Sequence, residues 1–197
     1  EKKLSLYFKA FNHYQAMLEI RPDDIAALKG AARMTERIGN WPELLRLYAA
    51  AEGVTQDATE HVYLLERIAE IAKVHLEDAD TACTALEAIR QFDVRRPRSI
   101  SELAKLYITL GKWEKFIALN EDEIATTKNP EYKATLYCRI AEVAQEQLGN
   151  YAQAIQNYEK AMAVWPQSLE AYLALERLYA HQNDYEKCVE LWRAHVE

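Results

Sequence analysis

The chain is poor in residues that break or staple a fold. Its 197 residues include five glycines, five prolines and three cysteines. So few glycines and prolines exclude a flexible linker or a proline-rich tract. Cys83, Cys138 and Cys188 are odd in number, far apart and never in a CxxC pair, which excludes a zinc ribbon and a disulfide framework. They read as packing residues of a reducing compartment, which favours a cytoplasmic setting. No run reaches the ~18 uncharged apolar residues of a bilayer span. The apolar N-terminal stretch is interrupted by Lys9, Asn12 and His13, unlike a signal peptide. Positive charge is scarce: 24 Lys and Arg face 31 Asp and Glu, for a net charge of −7. Such a chain is a poor partner for nucleic-acid phosphates.

Signs of chemistry are equally thin. His13, His61, His75, His181 and His195 never fall at metal-ligand spacing with one another or with cysteine. The glycines are isolated and form no phosphate-binding loop. The expectation is a non-enzymatic chain with no metal and no cofactor.

What the chain does have is a repeat. "GNWPELL" at 39–45, "GKWEKFI" at 111–117 and "NDYEKCV" at 183–189 start 72 residues apart. "LLERIAEIAKVHLED" at 64–78 and "LYCRIAEVAQEQLGN" at 136–150 share the same offset. Turns are expected at Gly39, Glu77, Gly111, Gly149 and Asn183, with successive spacings of 38, 34, 38 and 34. Each unit thus holds about 36 residues, alternately long and short, with two apolar-periodic stretches around a turn. The spacing predicts eleven helices, at 4–20, 23–38, 41–53, 58–76, 79–92, 99–110, 113–127, 131–148, 151–164, 168–181 and 185–196. Ser99 and Glu102 read as a capping box, and Asn129–Pro130 as an N-cap followed by proline at the first helical position.

Within a unit, small and large residues alternate at helical spacing. Ala154 and Ala161 lie seven apart on one face, flanked by Tyr151 and Tyr158, and Pro166 ends the run. First helices carry Leu28, Ala31, Ala32 and Thr35, then Ile100, Leu103, Ala104 and Tyr107, then Tyr172, Leu175, Glu176 and Tyr179. Pro22, Pro97, Pro130 and Pro166 separate units. Trp41, Trp113, Tyr151 and Tyr185 read as wedges between helices. These residues resemble the tetratricopeptide repeats. Leu44, Phe116 and Cys188 depart from the family's alanine, Asn120 from its aromatic and Glu176 from its small residue.

The resemblance implies an all-α, right-handed α-α superhelix of antiparallel helices. It implies a single array over 1–197: a lone second helix at 4–22, then repeats at about 23–56, 57–97, 98–130, 131–166 and 167–197. Unpaired ends suggest a fragment of a longer protein, able to associate with itself through uncapped ends. In this family first helices line a concave groove suited to a peptide or a partner helix. By register that wall carries Arg33, Glu70, Lys105, Glu142 and Arg177, alternating in sign, with Lys29 and Arg37 adding a basic face beside Arg33 and Cys138 facing the groove. The alternation reads either as a ladder of intramolecular ion pairs or as a charged floor that recognises a partner. The family's carboxylate clamp uses asparagines, and Gly30, Arg67, Glu102, Arg139 and Ala174 stand in their places. The expected role is a protein-interaction scaffold binding a protein or peptide, without nucleic acid or membrane insertion. The alternative is the substrate-recognition arm of a larger enzyme whose catalytic domain lies outside this chain.

Overall fold

A computed structural model describes residues 2–92 and 97–196. Eleven α-helices account for nearly all of them. They fall into two compact units, Glu1–Leu110 and Gly111–Glu197. The first unit holds α1 (Lys2–Ile20), α2 (Ile25–Ile38), α3 (Trp41–Val54), α4 (Ala58–His75), α5 (Ala79–Phe92) and α6 (Pro97–Thr109). The second holds α7 (Trp113–Thr126), α8 (Pro130–Glu146), α9 (Tyr151–Val164), α10 (Leu169–His181) and α11 (Tyr185–Val196). Within each unit every helix packs on the next in the chain, and α8 also touches α10.

The expected turn positions are the five described residues with left-handed backbone. Gly39, Gly111 and Gly149 have φ of 81°, 64° and 63°, and Glu77 and Asn183 have φ of 54° and 59°. A left-handed residue after a helix lets the next amides bond back to the last carbonyls. The turns come in two lengths. Asn40 N–H donates to Thr35 O and Asp184 N–H to Tyr179 O, five residues back. Asp78 N–H donates to Ala72 O and Asn150 N–H to Ala144 O, six residues back. The long units owe most of their extra length to their first helices, α4 with 18 residues and α8 with 17, against 14, 13 and 13 in α2, α6 and α10.

Caps fix the helix starts. Asp24, Asn40, Asp57, Asn129, Asn150 and Ser168 each accept from a backbone amide of the first turn. Asn129 takes Tyr132 N–H at 3.2 Å ahead of Pro130, as expected. The Ser99 capping box is corrected. Helix α6 already begins at Pro97, so Ser99 lies buried inside the first turn, and the Glu102 carboxylate bonds to Lys73 and Lys105 instead. Proline's fixed φ suits the first helical position and moves the start two residues upstream. The side chains of Pro97 and His195 lie outside the described residues.

The alternation of small and large residues builds the core. Ala154, Ala161 and Ala171 are fully buried beside Tyr158, Leu175 and Tyr179. Alanines here let helices approach closely, and each tyrosine fills the space beside them. The departures from the family pattern have local remedies. Buried Asn120 donates its amide to Phe116 O at 2.7 Å, and Glu176 accepts from Trp192 Nε1 at 2.8 Å. Two wedges are corrected: Tyr151 is 46% exposed and Tyr185 is 65% exposed. Tyr151 stacks on His181 of α10 with ring centroids 6.1 Å apart. Trp41 is half-buried and stacks on His75 with ring centroids 3.5 Å apart.

Candidate functional site: two equivalent clefts

In the first unit α4 and α6 flank a cleft of about 520 Å³. Its floor is apolar, from Ala69 of α4, Ala82 and Leu86 of α5 and Leu106 of α6. Tyr63 and Val74, both at least half exposed, form an apolar lip. The walls are charged: Arg67, Glu70 and Lys73 come from α4, Arg98 and Glu102 from α6.

Ion pairs tie these first helices together. Lys29 of α2 meets Glu60 of α4 at 2.6 Å. Arg67 reaches Glu36 of α2 and Glu70 of its own helix, each at 2.6 Å. Lys73 of α4 pairs with Glu102 of α6, and Lys105 joins Glu102 at 3.0 Å. The Lys73 and Lys105 bonds hold the Glu102 carboxyl below the usual range, against a smaller opposing effect of burial. Such part-exposed pairs contribute only ~0.2–1 kcal/mol each and chiefly set the order of charges along the wall.

The expected ladder of charges is therefore redistributed. Glu70 and Lys105 pair within their own helices, while the bonds between helices run through Lys29, Glu36, Arg67 and Lys73. Equivalent positions point the same way and stand one helix spacing apart, ~8–10 Å. Residues on facing flanks come closer, and these lie 29 to 31 residues apart in the chain. Arg33 and Arg37 are exposed and carry no ion pair among the described residues, so only Lys29 of that basic face is engaged. Arg67, Lys73 and Glu102 were not selected as partner-contacting residues from sequence. The i,i+3 couples Arg67/Glu70 and Glu102/Lys105 were legible there, but the links between helices were not.

In the second unit a cleft of about 250 Å³ lies between α8, α9 and α10. Glu142 and Arg177 line it together, as their shared register suggested. Glu146 and Glu170 join Glu142, with Tyr158 below. Burial, and then the neighbouring Glu170 and Glu146, push the Glu142 carboxyl above its ordinary value, with Arg139 acting weakly the other way. Cys138 is corrected: it is 0% exposed and packs in the core with Ala134 and Ala141 rather than facing a groove. Burial, with smaller contributions from Glu170 and Glu142, raises its thiol to about 12, so it is not a nucleophile at neutral pH. The reason is rotational, since Cys138 shares the helix face of Ala134 and Ala141 and that face packs inward.

All three cysteines are free and buried. Among the described residues no group of three His, Cys, Asp or Glu side chains is arranged to hold a metal ion. No described helix is long and apolar enough to cross a membrane.

Residues 146–194 match the family model of the tetratricopeptide repeat. Over 97% of its length the chain is 28% identical to the protein CTR9 homolog of Arabidopsis thaliana, and it spans 18% of that protein. Among solved structures, MamA superposes with a TM-score of 0.50 at 17% identity, covering 84% of this chain and 92% of that one. YrrB, described as a TPR protein with an unusual peptide-binding site, gives a TM-score of 0.47 at 15% identity over 88% of this chain and 85% of that one. Residues 146–194 therefore carry a tetratricopeptide-repeat match, and the chain shares the all-helical repeat fold of MamA.

Proposed function

We propose that the chain is a non-catalytic scaffold that holds an extended or helical protein segment in the α4–α6 cleft. The observation that carries this reading is the cleft itself, with its apolar floor, apolar lip and walls of both signs. Apolar anchors of a partner would be desolvated on Ala69, Leu86 and Leu106, which supplies affinity. The ordered charges along the walls would set direction and reject mismatched partners more than they add strength. The net charge of −7 favours a protein partner over RNA.

The test is selection of a random phage-displayed dodecapeptide library on the purified chain. Selected peptides should bind with dissociation constants of about 1–100 μM. Glu70→Trp, which fills the cleft from an exposed position, should weaken them by more than about tenfold, while Glu70→Gln should weaken them far less. Peptides that bind the Glu70→Trp variant as well as the parent chain would overturn the assignment of this cleft.

A further inference from the structure

The two clefts are copies of one site, 72 residues apart in sequence, whose charges have diverged. Glu70 corresponds to Glu142, Leu86 to Tyr158 and Leu106 to Leu178. At four further positions the chemistry changes. Lys73 becomes Gln145, Val74 becomes Glu146, Arg98 becomes Glu170 and Glu102 becomes Ala174. The first cleft balances its acids with its own lysines and arginines. Each lining holds three carboxylates, but the first sets Arg67, Lys73 and Arg98 among them, whereas in the second Glu142, Glu146 and Glu170 face Arg177 alone. Among the described residues none of these four side chains is in an ion pair.

The floor of this second cleft carries an independent signal. Tyr158 is only 3% exposed and lines the cleft, yet its hydroxyl makes no hydrogen bond to any described residue. The equivalent floor residue of the first cleft is the apolar Leu86, and the core tyrosines Tyr107 and Tyr179 both bond to a carboxylate. The Tyr158 hydroxyl is not one of the fully buried polar atoms without a partner among the described residues, so solvent reaches it. Here an acceptor stands open at the bottom of a cavity rimmed by three carboxylates.

We propose that the α8–α10 cleft is a guanidinium-binding subsite, which takes an arginine side chain of a partner protein among Glu142, Glu146 and Glu170 with the Tyr158 hydroxyl as a further acceptor. The four acceptor groups, on three helices, outnumber the three donors of an ammonium. A guanidinium offers five N–H donors in a planar fork, is weakly hydrated and keeps its charge when buried. A cation there also relieves the mutual repulsion that pushes up the Glu142 carboxyl. The proposal extends the scaffold reading by naming the chemistry of a second subsite. It is tested on α8–α10, so its outcome is independent of peptide selection at α4–α6.

The test is a titration of the isotope-labelled chain, followed by amide chemical shifts, with three blocked tripeptides: Ac-Gly-Arg-Gly-NH2, its lysine counterpart and its citrulline counterpart. Citrulline keeps the shape of arginine and removes the charge. The arginine peptide should give saturable shifts confined to α8, α9 and α10, about threefold tighter than lysine and more than about tenfold tighter than citrulline. Tyr158→Phe should weaken it about fivefold, and Glu170→Arg, which restores the sign found at Arg98, should abolish it. Thermal melting checks that each variant folds. If Tyr158→Phe does not fold, Glu146→Val, the pattern of the first cleft from an exposed position, replaces it and should weaken binding about as much. Citrulline binding as well as arginine would overturn the proposal. So would lysine binding equally well with the floor or wall variant silent, which marks a merely acidic surface, and so would no saturable shift at all.

Discussion

The Tyr179 hydroxyl donates to Glu159 Oε1 at 2.7 Å, joining α10 to α9. In the first unit Tyr107 donates to Glu87 Oε1 at 3.0 Å in the same way, each residue 72 positions earlier. Burial first, and then the adjacent carboxylate, push both phenols well above the usual tyrosine range, so both hydroxyls stay protonated donors. Hydrogen bonds to a charged acceptor contribute ~1.5–3 kcal/mol when part-buried. Tyr179→Phe should lower stability by about that amount in urea unfolding. In the background of Glu159→Gln its effect should shrink, because the charged acceptor is gone. Full additivity of the two changes would deny the bond its role.

Glu77 is a non-glycine residue in left-handed backbone, with φ of 54°. The equivalent turn 72 residues later uses Gly149. A left-handed L-residue costs roughly 1–2 kcal/mol, partly offset by glycine's greater freedom when unfolded. Glu77→Gly should raise stability by about 1 kcal/mol, or about 2–4 °C in melting temperature. A lower melting temperature would show that the Glu77 side chain contributes more than its backbone strain costs.

Gly30 allows α2 to approach α1, because a methyl group at that position would overlap the Tyr14 ring. Gly30→Ala should destabilise the first unit by about 1–3 kcal/mol despite the better helix propensity of alanine. Adding Gly30→Ala to a Tyr14→Ala chain should cost little further. An equal loss in both backgrounds would place the penalty elsewhere.

Glu102 and Glu142 should respond to pH in opposite senses. The folded-state value of Glu102 is depressed by Lys73 and Lys105, so its contribution is present above about pH 4.5 and is lost as pH falls through the depressed value. Glu142 is raised by burial, Glu170 and Glu146, so the folded state gains on acidification and loses again as pH rises through the raised value. Glu142 is exposed and Glu102 part-exposed, so each effect should stay below about 1 kcal/mol. Glu142→Gln should therefore melt slightly higher than the parent chain at pH 7, with the gap closing near pH 4. Glu102→Gln should melt slightly lower at pH 7, also converging in acid. Parallel pH profiles for the two variants would contradict the assignment of these shifts.

The helices, their turns and the repeat were legible in the linear order of residues because they are local. Helical spacing of Ala154, Tyr158 and Ala161 defines a face within two turns, and a left-handed turn announces itself as Gly39, Gly111 or Gly149. The 72-residue offset even picked out Glu77 and Asn183, which no propensity scale would nominate. The sites were legible only in part. Choosing Glu70, Glu142 and Arg177 by register picked residues that line the two clefts, yet register cannot tell which flank meets a neighbour. That depends on how each helix is rotated in its pair, a property of packing across some thirty residues of chain. Rotation alone turned Cys138 inward with Ala134 and Ala141, joined Lys73 to Glu102 across two helices, and set the hydroxyl of Tyr158 beneath three carboxylates from its neighbours.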